Sequence, residues 1–168
     1  MKTNVALILV FLLTLSSCRV NYSFTGVSIS PDVKTITIDY FQNKAPLVVP
    51  TLSRDLTEAL RDYFTSQTSL ALTEHSGDLV LEGTITGYEA GKPIAIQGNE
   101  TAAMNRMTIT VAVKFTNRKD EKQNYETTFT RYQDYPSSQS LNAVQATLIE
   151  EINKQLVEDI FNKSVVNW

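Results

Sequence analysis

The spacing of apolar residues in this chain switches between two periods, and that switch limits the folds open to it. From Lys34 to Tyr40 every second residue is apolar, with Ile36, Ile38 and Tyr40 set against Thr35, Thr37 and Asp39. This predicts a half-buried strand. Pro46 and Pro50 exclude regular structure between them, and a helical stripe of Leu52, Leu56, Ala59, Leu60 and Tyr63 follows. Its charged neighbours Arg54, Asp55, Glu58, Arg61 and Asp62 read as a solvated face.

Period two then returns. Leu70 to Glu74 predicts a short strand, and His75-Ser76-Gly77-Asp78 a turn. Leu79, Leu81, Gly83 and Ile85 alternate with Glu82, Thr84 and Thr86, and the interior glycines Gly83 and Gly87 point to bulges or to close approach of a neighbour. Gly91 to Ala103, with its Gly, Pro, Asn and Gln, reads as a long loop. The strongest alternation is Met107, Ile109, Val111, Val113 and Phe115 against Thr108, Thr110, Ala112, Lys114 and Thr116. A charged turn from Asn117 to Lys122 leads to a partner strand from Tyr125 to Tyr132. From about Ser138 to Asn162 the period is helical again, with Leu141, Val144, Leu148, Ile152, Leu156 and Ile160 on one face, widened by Ile149 and Phe161.

Each helix needs an apolar partner, and the strands offer one apolar face. The expected fold is therefore α+β, with two amphipathic helices packed on one face of a four- to five-stranded mixed sheet. The opposite sheet face, lined by Thr and Lys, is left for water or a partner.

The N-terminus restricts where such a domain works. Lys2, an apolar run from Val5 to Leu15 and small residues after it form an export signal. The run is too short to span a bilayer, which takes ~20 residues. It ends Leu15-Ser16-Ser17-Cys18, the pattern of a bacterial lipobox, in which the cysteine thiol takes a diacylglycerol, the chain is cut before it, and the freed amine is acylated. Cys18 is the only cysteine, so no disulfide forms within one molecule, and lipidation accounts for the thiol. The expected organisation is a signal peptide over 1–17, a lipidated tether over 18–32 that lies down on the domain, and a single domain over 33–168. The formal net charge is −3, and loss of Lys2 makes the mature chain more negative. That argues against nucleic acid as a partner.

The catalytic inventory is thin. His75 is the single histidine and sits on a predicted turn, no GxSxG is present, and the glycines never form a phosphate-cradling loop. Glu82, Glu89, Glu126 and Asp134 could in principle supply a carboxylate pair for sugar chemistry, but nothing in the sequence sets two of them across a cleft. The expectation is a protein that is not an enzyme and needs no cofactor or metal. Asn105 and Arg106 could present planar donors to a phosphate, or Arg106 could pair with a local acid. Trp168, at the end of the chain, fits core cover or a clasp better than a binding group.

The lipobox, Asn21-Tyr22-Ser23-Phe24-Thr25-Gly26, the run Gly77 to Tyr88, Asn105-Arg106-Met107-Thr108-Ile109 and the ending Glu158 to Trp168 together resemble the LptE-like lipoproteins of the Bacteroidota, grouped with the lipopolysaccharide-assembly lipoprotein LptE. The resemblance runs along essentially the whole mature chain. It implies two helices against a four-stranded sheet and no enzymatic activity. It also implies a role as plug and assembly factor inside an LptD-type outer-membrane β-barrel, in lipopolysaccharide transport to the cell surface. A structural lipoprotein of another envelope or secretion complex is the alternative. Arg19-Val20-Asn21 carries neither the aspartate that retains lipoproteins at an inner membrane nor the acidic run that exports them to the surface. By family rule this points to the periplasmic side of the outer membrane. The resemblance implies lipopolysaccharide binding through basic side chains, none of which carries over to a position here. Independently, the candidates for a lipid-phosphate contact are Arg106, Lys92, Arg118 and Lys119, basic residues in or beside predicted loops at sheet ends.

Overall fold

The computed structural model describes residues 29–94 and 104–166. Cys18, the signal peptide, most of the tether and Trp168 lie outside the described residues. The elements run β1 (Thr35–Ile38), β2 (Gln42–Asn43), α1 (Leu52–Gln67), β3 (Ala71–Leu72), β4 (Leu79–Ile94), β5 (Met104–Asn117), β6 (Tyr125–Pro136) and α2 (Leu141–Val165). The fold is α+β as expected. Its mixed sheet has the order β3-β1-β4-β5-β6, with β2 also paired to β4. The four longer strands are those anticipated; β3, two residues long, falls inside the short strand expected over Leu70 to Glu74, and β2, also two residues, is additional.

Two kinds of pairing build the sheet. β1 lies parallel to β3 and to β4, so the chain leaves β1, crosses over through α1 and returns. β4, β5 and β6 form an antiparallel meander, and the β5–β6 register runs unbroken from Met104↔Pro136 to Phe115↔Tyr125. β1 and β2 line the same side of β4 and are in effect one strand broken at residues 39–41. At that break Phe41 turns inward and is fully buried, and its ring fills the space above Gly83, where a Cβ would come within 2.1 Å of it. Gly83 thus serves the close approach its position suggested. The break also reverses the phase expected for Tyr40, which is 54% exposed. The ladder slips at Gly87, the other flagged glycine.

The predicted loop from Gly91 needs correction. Gly91 takes φ 77° inside a second slip of the β4–β5 ladder, and pairing then resumes at Lys92↔Arg106 and continues to Ile94↔Met104. Lys92 is therefore a strand residue. A glycine with positive φ marks a bulge as readily as a turn.

Both helices pack on the same face of the sheet. α1 buries Leu52, Leu56, Leu60 and Phe64, and α2 buries Leu148, Ile149, Ile152, Leu156, Ile160 and Phe161. Leu81, Ile85, Met107, Ile109, Val111, Val113 and Phe115 complete the core beneath them. Polar contacts fix the helices in place. Thr57 Oγ1 accepts from Phe41 N at 3.0 Å, Arg61 donates to Ile38 O at 2.9 Å, Gln145 donates to Tyr88 Oη at 2.8 Å, and Arg131 of β6 pairs with Asp159 of α2. Tyr125 Oη lies 2.8 Å from Ser164 Oγ, and burial pushes the phenol up to about 12.

Asp78 closes the lower end of the sheet. Its Oδ2 accepts from Lys34 N at 2.8 Å and from Thr35 N at 3.1 Å, and Lys119 lies 3.2 Å away. These donors hold the carboxyl down at about 2, the Lys34 N–H being the strongest. The unfolded value is about 3.9, so the folded pKa is depressed. Its contribution to stability is complete above about pH 4 and is lost as pH falls through about 2. The melting temperature of Asp78→Asn should therefore fall less than that of the parent between about pH 4 and pH 2, and parallel acid limbs would refute this role.

Candidate interaction face

The helices cover one side of the sheet and leave the other open. Because side chains alternate along each strand, the register assigns every outward residue to a row across the strands. One row is Glu82, Lys114 and Glu126; further along come Thr84, Ala112 and Thr128, and then Gly87, Thr110 and Thr130. Next are Glu89, Thr108 and Tyr132, and then Lys92, Arg106 and Asp134.

The charges on this face are largely matched within it. Lys114 Nζ lies 2.9 Å from Glu82, with Glu126 on its other flank, and the two carboxylates raise the lysine pKa. Arg106 grips Asp134 with both arms, at 2.7 and 2.9 Å, and its guanidinium lies 3.6 Å from the centre of the Tyr132 ring. The arginine holds the Asp134 carboxyl below the usual range. Of the two readings of Arg106, pairing with a local acid is the one the geometry shows. Between the charged rows the surface is mostly threonine, interrupted by Glu89 and Tyr132, with the Thr110 and Thr130 hydroxyls 3.2 Å apart. The face is polar, close to neutral and rich in hydroxyls.

The four cations named from the sequence do not converge. Lys92 and Arg106 oppose each other at one end of β5, and Arg118 and Lys119 follow its other end. At roughly 3.4 Å per residue the two pairs are about 40 Å apart. Arg106 and Lys119 are ion-paired. Lys92 and Arg118 make no ion pair among the described residues. Arg118 lines a cavity of about 390 Å³ with His75, Lys114, Asp39, Glu74 and Glu82, a mixed-charge setting. The carboxylates considered for catalysis also sit on this flat face. Glu82 and Glu126 flank Lys114 from either side, and Asp134 belongs to Arg106.

One feature escaped the sequence. A groove of about 500 Å³ runs between α1 and α2, lined by Ala59, Tyr63, Ile149, Asn153 and Val157 among others. Asn153 is 5% exposed, and its Oδ1 has no hydrogen-bond partner among the described residues. The signal was an asparagine inside the apolar stripe, between Ile152 and Leu156.

The comparisons agree with this geometry. The family model described as "LptE: Lipopolysaccharide-assembly" matches residues 33–164. Among solved structures, protein CT253 of Chlamydia trachomatis is similar with a TM-score of 0.56 at 8% identity, covering 80% of this chain and 99% of that one. Protein XCC0632 of Xanthomonas campestris gives 0.51 at 15%, covering 80% and 87%. A minor lipoprotein of Acinetobacter baumannii gives 0.50 at 14%, covering 79% and 90%. At these identities the likeness is one of fold. No curated protein matches the sequence significantly.

Proposed function

Because the chain belongs to the LptE family of lipopolysaccharide-assembly proteins, we propose that it is an outer-membrane lipoprotein, acylated at Cys18, that sits as plug and assembly factor in an LptD-type β-barrel. The observation that carries the reading is the family match along the whole domain. The open sheet face is its physical complement. The lumen of a large barrel is lined by polar side chains, and a protein held there must exchange water for hydrogen bonds without burying unpaired charge. A surface rich in threonine hydroxyls between two rows that each hold an internal ion pair suits that exchange. Lipopolysaccharide, whose assembly the family description names, is the cargo in this reading, and the periplasmic side of the outer membrane is where the reading puts the domain.

The test is recovery of the tagged, lipidated protein from detergent-extracted outer membranes, with mass spectrometry of what accompanies it. The expected result is a large β-barrel protein in stoichiometric amount. Stoichiometric recovery of secretion-machine components instead would favour a structural lipoprotein of another envelope complex. Absence of a barrel would end the plug reading.

A further inference from the structure

β6 is twelve residues long, lies at the end of the sheet order and pairs with β5 alone. Among the described residues, the backbone of Tyr125–Tyr135 makes no ladder beyond β5 and receives no side-chain hydrogen bond. Alternate residues of an antiparallel strand turn their N–H and C=O away from the partner, so this edge presents a row of unpaired donors and acceptors.

Natural sheets blunt such edges with bulges, proline, edge-guarding charges or very short strands. The opposite edge of this sheet is blunted, ending in the two-residue β3. β6 has none of these devices along its length. Its register with β5 is free of bulges, and its proline is the final residue. Two of its three charged residues are paired within the domain, Arg131 with Asp159 of α2 and Asp134 with Arg106, and the third, Glu126, stands opposite Lys114 in the ladder. The rest of the strand is Tyr, Thr, Phe and Gln, a composition suited to sheet pairing.

We propose that the outer edge of β6 is a strand-addition site, which takes an extended segment of a partner polypeptide into the sheet as a further strand. The two flanks define the chemistry of that segment. On the helix side it would lie beside Thr127, the partly buried Phe129 and the Arg131–Asp159 pair, so it presents an apolar residue to Phe129 with polar residues on either side. On the open side it would lie beside Thr128, Thr130 and the 49% exposed Tyr132, with Glu126 and Asp134 at the two ends, so the alternate residues are polar. The inference rests on the edge alone and does not require the partner to be a barrel.

The test is residue-resolved hydrogen exchange on the full lipidated protein, alone and in the complex extracted from outer membranes. The β6 amides that point away from β5 should exchange quickly in the free protein and slow by about tenfold or more in the complex. Unchanged exchange, or extraction of the protein with no bound polypeptide, overturns the proposal. Protection that already exists in the free protein overturns it in favour of this chain's own N-terminal segment. Protection of the free protein that grows with concentration overturns it in favour of a second copy. Thr127→Pro and Thr128→Pro supply an independent arm, because only one of these adjacent residues donates its N–H to β5. The variant that keeps its fold should lose the partner segment, and retention of it counts against the proposal. A barrel recovered over an unprotected edge refutes strand addition and leaves the plug reading standing. A protected edge in a complex without a barrel does the reverse.

Discussion

Phe64→Ala is expected to remove about 3–5 kcal/mol of unfolding free energy, the largest loss from a single side chain of α1. Phe64 is fully buried, and its ring meets Phe161 of α2 edge-on at 5.0 Å between centroids. Truncation leaves a cavity where the two helices and the sheet converge, and the rigid elements around it close only in part. Aromatic edge contacts add about 0.5–1.5 kcal/mol beyond burial. Tyr63 touches the same Phe161 ring at 5.0 Å but is only half-buried. Tyr63→Ala should therefore cost clearly less, about 1–2 kcal/mol. Urea unfolding checks both: the midpoint of Phe64→Ala should fall far below that of Tyr63→Ala at unchanged slope. Equal midpoints would mean that the two aromatics share the load and that the helix faces have been read wrongly.

That contrast also marks where the sequence stops being legible. The stripe Leu52, Leu56, Leu60 continues equally well to Tyr63 or to Phe64, since a 3.6-residue period puts i+3 and i+4 on either side of the same line. Only the packing of α2 decides between them, and it turns Phe64 to the core and Tyr63 to the interhelical groove. The long elements were readable because their signal repeats locally. β5 and α2 each carry their pattern over a dozen residues or more, and β6 was legible from its threonine and aromatic content. The two-residue β2 is too short to show a period and exists because β4 offers it a backbone partner, whereas the strand expected over Leu70 to Glu74 contracts to the two residues of β3 that pair with β1.

The interaction face is harder to read for a related reason. Its residues were identifiable as an outward polar set, but its near neutrality depends on register. Arg106 meets Asp134 across 28 positions of sequence, and Lys114 meets Glu82 from a different strand. A shift of one residue in either pairing would turn each partner to the other face. From the sequence alone, Lys92, Arg106, Arg118 and Lys119 look like four comparable cations. The fold separates them into two pairs and engages one member of each, and no local pattern encodes that division. The outer edge of β6 is equally invisible, because which strand ends a sheet is a property of topology.

The second large effect concerns the anchor. With residues 1–17 exchanged for an ordinary cleavable export signal, the Cys18→Ala chain should pass almost completely from the membrane fraction to the soluble periplasmic fraction and lose labelling by radioactive palmitate. A single acyl chain gives a binding constant of only about 10⁴ M⁻¹, whereas a second chain makes attachment effectively stable, at about 0.8 kcal/mol per buried CH₂. A triacylated cysteine therefore has far more membrane affinity than it needs, and removing the thiol removes all of it together. Among the described residues, no helix is long and apolar enough to cross a membrane and take over. What could hold the variant back is a protein partner. Hydrogen bonds to a barrel lumen or a strand added at β6 would survive loss of lipid but would yield to urea, which acyl anchoring withstands. Variant that stays with membranes until washed with urea would assign retention to the partner. Undiminished, urea-resistant fractionation with palmitate label still present would mean that the chain is acylated elsewhere, and the lipobox reading of Cys18 would fall.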